Sequence, residues 1–351
     1  MCRILRVVSL LMINAFVANS QSYSPSVYEG QIFTTTYHII HEDITNDKEQ
    51  NKDWHDSIRK LFEDFDFSLS MFNPKSIISK MNNNDADARA NHYVKNVIEK
   101  SLEVSRRTSG AFDITVAPLV NLWGFGFKNQ DNVTPDAVDS IKQFVGYQKI
   151  SLDIQGRLHK SDPRIQLDAS SIAKGYMCDI IGEWLKNKGV NNYMVEIGGE
   201  IVVKGRSPKG KPWRVGINIP EDDQLQRING IQGVLELSDG AIATSGNYRN
   251  FYYKDGKRYA HTIDPASGYP VQKNILSSTV IAHDCMTADA YATSFMVMGV
   301  EQAMDVLAKD SSLMGYFIIA DDTSTNGYKV IYSDGLENIL LKKDRSHSHN
   351  P

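Results

Sequence analysis

Cysteine is scarce in this chain, three in 351 residues, too few for a disulfide scaffold to stand in for a hydrophobic core. Excess positive charge is missing as well. Lys and Arg number 38 against 42 Asp and Glu, a formal net charge of −4, so the basic footprint of a nucleic-acid binder is absent and no nucleic-acid partner is expected. There is no Walker loop, G-x-G-x-x-G, zinc-ligand spacing, G-x-S-x-G elbow or kinase signature, and no internal repeat. Beyond the first 20 residues no segment is apolar enough to span a bilayer. What remains is 41% hydrophobic and 23% charged, which excludes a largely disordered, collagen-like or coiled-coil chain. The length allows two domains or one large one, and either buries a substantial core.

The first 20 residues read as an address. Arg3 and Arg6 precede an apolar run from Val7 to Ala18, broken only by Ser9 and Asn14, and Ala18-Asn19-Ser20 before Gln21 fits a small-x-small cleavage site. A secretory signal over 1–20 is expected, with a soluble exported protein after cleavage. Removing Arg3 and Arg6 takes the formal charge from −4 to −6 and leaves Cys178 and Cys285, expected as buried free thiols in preference to a disulfide.

Residues 21–341 are expected to form the functional domain and 342–351 a disordered tail. Gln31 to Ile40 reads as a strand. Trp54, Ile58, Leu61, Phe62 and Phe65 have helical spacing, as do Tyr93, Val94, Val97, Ile98 and Leu102 within a helix over about 91–108. Thr134 before Pro135 is a cap-plus-N1 signature. From Tyr193 onward strands dominate: 193–197, 200–204, 213–219, 234–237 and 279–282, then a helix over 289–298 and strands near 315–320 and 329–332. Gly198-Gly199 and Asp239-Gly240 read as turns. The order implies an α+β fold with mostly antiparallel sheets and packed helices.

Four segments carry candidate chemistry. In Ile165 to Gly175 (IQLDASSIAKG) a short strand runs to Ser170 and Ser171, good N-caps of a helix that Gly189 ends. A helix N-terminus with Lys174 one turn in suits a phosphate, although most capped helices bind nothing. Asp289 and Thr293, four apart at the opening of the next helix, put two hard oxygens on one face, as Mg²⁺ requires; the alternative is an acidic residue favouring the helix dipole and a back-bonded threonine. Thr244 to Asn250 and His261 to Pro270 (HTIDPASGYP) form a third group, with His261 either a general base or a loop histidine satisfied locally. In the fourth, Ser109 to Pro118 (SGAFDITVAP), small residues let a flat ligand approach, Phe112 offers an apolar face and Asp113 an acceptor; a turn before core aromatics is the other reading.

In this order the segments, together with Ser70–Asn82 and Val195–Ile201, resemble the FAD:protein FMN transferase family, the ApbE-type flavin transferases, from about Gln31 to about Ala320. The resemblance implies an exported enzyme that binds FAD as substrate with Mg²⁺. It attaches FMN to a threonine of an acceptor protein bearing an S-G-A-T-type motif, with AMP leaving. Carried over by position, Ser171 (through its carbonyl), Asp289 and Thr293 would hold the metal. Ala111, Phe112, Asp113, Asp168, Lys174 and Ile263 would contact FAD, with Phe72 and Phe33 beside the flavin. His261 would be the general base towards the threonine, with Asp264 the alternative. The resemblance further implies a periplasmic setting and peripheral association with membrane redox complexes. Departures are the missing lipobox cysteine, Thr34 in place of a glycine, Ile77 in place of an acidic residue and Ile114 in place of proline. Alternative readings are an Mg²⁺-dependent FAD pyrophosphatase giving FMN and AMP, and a non-catalytic exported FAD-binding protein. Ser109-Gly110-Ala111 is followed by Phe112, so the chain has no acceptor motif of its own.

Overall fold

Alternating apolar residues along eight stretches of the chain build one antiparallel sheet. The computed structural model describes residues 22–32, 35–44, 48–126, 133–219, 230–247, 251–254 and 257–341. The expected leader, Phe33, Thr34, Tyr248 to Asn250 and the expected tail lie outside the described residues. Across the sheet the strands follow chain order: Pro25–Ile32, Thr35–Glu42, Tyr193–Ile197, Glu200–Lys204, Asp239–Gly246, Ile275–Ala282, Met314–Ala320 and Tyr328–Tyr332. Every neighbouring pair is antiparallel.

Because side chains alternate along a strand, the sheet has two apolar faces. Val202, Ala241, Val280 and Phe317 point to one side, and Val203, Ile242, Ile281 and Ile318 to the other. Among the described residues eight helices occur: α1 (Lys48–Leu69), α2 (Ile77–Asn82), α3 (His92–Arg107), α4 (Ala117–Leu122), α5 (Pro135–Lys142), α6 (Ala173–Asn187), α7 (Cys285–Met298) and α8 (Val300–Leu307). The α6 and α7 helices lie on the first face and touch each other, with α1 and α3 behind them. A three-stranded sheet of Trp213–Asn218, Ile231–Leu237 and Leu340–Leu341 covers the second face through Trp213, Val215, Ile217 and Leu235. The central helix α7 is apolar on nearly every side, the mark of a helix buried all round.

The expected α+β, mostly antiparallel class is what the chain adopts. Asn91 caps α3 through Val94 N–H, Thr134 caps α5 through Ala137 N–H, and Gly189, with φ of +90°, follows the end of α6. Both Cys178 and Cys285 are buried free thiols. No helix among the described residues is long and apolar enough to cross a membrane.

Several expectations are corrected. The expected strand over 31–40 is two strands, Pro25–Ile32 and Thr35–Glu42, paired antiparallel with Ile32 opposite Thr35. The segment before α6 holds only one bridge, Gln166 to Val116, and a side chain takes the Leu167 backbone. Asn82 accepts from Leu167 N–H at 2.7 Å and donates to Leu167 C=O at 3.0 Å. Ser170 and Ser171 do not cap α6: its N-cap is Ile172, and the Ser170 hydroxyl donates instead to Asp168 at 2.6 Å. Asp239-Gly240, expected as a turn, is the start of a central strand of the sheet, to which Thr244 to Gly246 also belong. The α7 helix begins at Cys285, capped by Asp284, which places Asp289 in its second turn and not at its mouth.

Candidate active site

The contact between α6 and α7 depends on a missing side chain. A Cβ on Gly175 would stand 2.3 Å from the Cys285 carbonyl oxygen and 2.9 Å from the Asp289 Cβ. With glycine there, the Gly175 N–H reaches Asp289 Oδ2 at 3.1 Å, so one amide of the first turn of α6 is satisfied by a carboxylate from α7. Asp179, one turn further along α6, accepts from the Cys285 and Met286 N–H groups at 2.7 and 2.8 Å and holds the start of α7 in return.

Lys174 extends beside Asp289 and forms an ion pair with Glu200 at 3.1 Å. Glu200 opens its strand directly after Gly198-Gly199, whose positive φ values make the tight turn. It faces inward like Val202, is only 4% exposed, and its Oε2 has no hydrogen-bond partner among the described residues. Burial pushes the Glu200 carboxyl up to about 7, with Lys174 pulling the other way and Asp289 adding to the rise. Burial likewise raises Asp289, opposed by Lys174 and the Gly175 amide. Burial works against the Lys174 ammonium, but Asp289 and Glu200 outweigh it and hold the lysine charged. One turn beyond Asp289, Thr293 Oγ1 lies 3.0 Å from Ser245 Oγ of the neighbouring strand.

These groups form one end of a cavity of about 770 Å³, within the range of small-molecule sites. Of the sequence-derived site residues, Phe72, Ala111, Phe112, Asp113, Asp168, Ser171, Lys174, His261, Ile263, Asp289 and Thr293 all line it, and Asp264 does not. Phe72, 75% exposed, lines the site at the surface. His261 sits edge-on to Phe125 with ring centroids 6.4 Å apart. Its loop is fixed by Thr262 donating to Asn247 at 2.9 Å and by the Trp123 indole N–H donating to Gly268 C=O at 2.9 Å.

Two carboxylates behave differently from expectation. Asp264 accepts from the Ala266 and Ser267 N–H groups and so organises its own turn. Asp113 is not an open acceptor, because Oδ1 takes the Thr115 N–H and hydroxyl while Oδ2 takes the Tyr147 N–H. Burial raises its carboxyl and those bonds pull it back. Its side chain therefore anchors the 146–147 segment behind the cavity. Glu200 and Ser245 went unassigned at the level of sequence. A charged residue at an inward position of an apolar strand was the available signal for Glu200; Ser245 carried none.

Among the described residues no three His, Cys, Asp or Glu side chains gather to hold a metal ion. The donor set of Asp289, the Thr293 hydroxyl and the Ser171 carbonyl nonetheless fits Mg²⁺, which takes one or two carboxylates and completes its shell with water and substrate phosphate.

Residues 33–317 match the profile described as the ApbE family. The chain belongs to that family. It is 34% identical over 323 residues to a FAD:protein FMN transferase of Haemophilus influenzae, covering 90% of this chain and 91% of that protein. It is 36% identical over 289 residues to one from Vibrio cholerae, covering 81% and 84%. Among solved structures, the flavin transferase ApbE from Vibrio cholerae superposes with a TM-score of 0.80 at 33% identity, covering 90% of this chain and 99% of that one. The apo form of the Pseudomonas stutzeri flavinyl transferase ApbE gives 0.79 at 28%, covering 91% and 98%. Family membership thus agrees with the resemblance read from the motifs, and the fold is the one those motifs implied.

Proposed function

We propose that this chain is an Mg²⁺-dependent FAD:protein FMN transferase that esterifies FMN to a threonine of an acceptor protein. The observation that carries the reading is the convergence of the four motif groups on one cavity. Its ion-paired end is built from α6, α7 and the strand at Glu200, and Phe72, Phe112, Phe125 and Ile263 line the rest beside polar groups such as Asp113, Asp168 and His261. Lys174 would meet the pyrophosphate, and Phe72, Ala111, Phe112 and Ile263 would contact the nucleotide and flavin. Asp289, Thr293 and the Ser171 carbonyl would hold Mg²⁺, which when bound supplies charge neutralisation on the phosphate oxygens. His261 would take the proton from the threonine hydroxyl as its oxygen attacks the FMN-side phosphorus. The bond from that phosphorus to the bridging oxygen breaks, and AMP leaves with the electron pair. Asp264, committed to its own turn, is the weaker claimant for the proton.

The test is to incubate the chain with FAD, Mg²⁺ and a peptide bearing an S-G-A-T motif and to take the intact mass. A gain of one FMN unit with AMP released, both abolished by EDTA, is expected. Free FMN and AMP with an unmodified peptide would instead make the chain a pyrophosphatase; FAD bound without turnover would make it a binding protein. His261→Ala should slow transfer about 10²- to 10⁴-fold with FAD still bound, and loss of binding with unchanged turnover of bound FAD would refute the base assignment. We further propose export to the periplasm through the 1–20 signal and action beside membrane redox complexes. Cell fractionation and an N-terminal sequence starting at Gln21 test the export.

A further inference from the structure

The cavity has an unexpected charge balance for a site that admits a pyrophosphate. Among its described lining residues are five carboxylates, Asp66, Asp113, Asp168, Glu200 and Asp289, against one lysine and His261. Backbone and hydroxyl donors occupy the carboxylates of Asp113 and Asp168. Glu200 is different: it is 4% exposed, one oxygen is held by Lys174 at 3.1 Å, and the other has no hydrogen-bond partner among the described residues. Leaving a buried carboxylate oxygen unsatisfied is costly, and Lys174 by itself would be the natural anion receptor.

We propose that Glu200 is a positioning residue that makes FAD entry depend on the divalent cation. It clamps Lys174 and, with Asp289, sets two carboxyl groups against one ammonium. A doubly charged pyrophosphate is repelled from this cluster until a divalent cation turns its sign. Lys174 would then share its ammonium between Glu200 and the phosphate. The inference rests on the transferase reading for its ligand and adds to it an order of binding, metal first.

The experiment measures FAD affinity by quenching of flavin fluorescence, in EDTA and in saturating Mg²⁺, at about pH 8, above the value of about 7 to which burial raises Glu200. Wild type should bind FAD far more tightly with Mg²⁺. Glu200→Gln keeps the shape and an acceptor for Lys174 but removes the charge. Its FAD affinity in EDTA should rise about tenfold, shrinking the Mg²⁺ effect by the same factor. Glu200→Asp keeps the charge and should keep the wild-type Mg²⁺ effect. Glu200→Ala is a second neutral variant, and thermal melts establish that each variant is folded. An unchanged Mg²⁺ effect in both neutral variants overturns the proposal while leaving the transferase reading intact. Equal FAD binding by wild type in EDTA and Mg²⁺ overturns it in the same way. No FAD binding by wild type under either condition removes the transferase reading and this inference with it.

Discussion

Gly175→Ala places a methyl group where α6 and α7 already touch. The new Cβ would lie 2.3 Å from the Cys285 carbonyl oxygen, inside ordinary contact by about 1 Å. A backbone carbonyl cannot swing aside as a side-chain end can, so the helices must separate. Overpacking of this kind costs about 1–3 kcal/mol. Losing the charge-assisted bond from Gly175 N–H to Asp289 Oδ2, now 3.1 Å, adds about 1.5–3 kcal/mol. Alanine's better helix propensity returns about 1 kcal/mol. The net destabilisation is about 1.5–5 kcal/mol, and a displacement of Asp289 by about 1 Å from Lys174 should cut FAD turnover about 10²-fold. Urea denaturation gives the first number and AMP release the second. Gly182→Ala on the same helix is the control: its Cβ would meet only the side chains of Val202 at 3.0 Å and Tyr193 at 3.2 Å, which can shift. It should change stability by less than about 1 kcal/mol. Equal stability and activity of Gly175→Ala and wild type would mean that the helices do not approach as described.

Lys160 donates to the carbonyls of Met81, Asn82 and Ile165 at 3.0, 3.3 and 2.9 Å and so ties the end of α2 to the segment leading into Asp168. Lys160→Met should cost about 1–3 kcal/mol in urea denaturation; no loss would make the three bonds dispensable. Burial pushes Asp179 up to about 7, with the Cys285 and Met286 N–H groups opposing and Asp284 and Asp289 adding to the rise. A raised carboxyl favours the fold below its unfolded value, and that contribution fades as pH climbs from about 4 to about 7. Asp179→Asn removes the dependence, so its cost should be about 2–3 kcal/mol larger at about pH 5 than at about pH 8; a pH-independent difference would contradict the shift. Phe72→Ser alters a residue that is 75% exposed. Its melting temperature should hold while KM for FAD rises about 5- to 10-fold, and an unchanged KM would remove Phe72 from the site.

Much of this protein follows from local chemistry. The cap residues Asn91 and Thr134, the helical spacing of Tyr93 to Leu102 and the alternation within 193–197 and 200–204 specify their elements because backbone preference and side-chain periodicity act over a few residues. The motif residues of the cavity were legible for a related reason: their types and spacings suit a nucleotide and a hard cation. Other features depend on partners distant in sequence. Thr244 to Gly246 form a strand because Ala243 and Thr244 pair with Val280 and Thr279, an arrangement no local pattern encodes. Asp289 was legible as a ligand type, yet its burial and its bond to Gly175 exist only because α6 and α7 meet. Asp113 and Asp264 looked equally available, and tertiary contacts and loop geometry commit both to backbone amides. Residue chemistry by itself determined which groups this protein can offer a flavin nucleotide. Only packing decided their ionisation and which of them stay free, because desolvation and hydrogen bonding belong to the neighbours a side chain meets after folding.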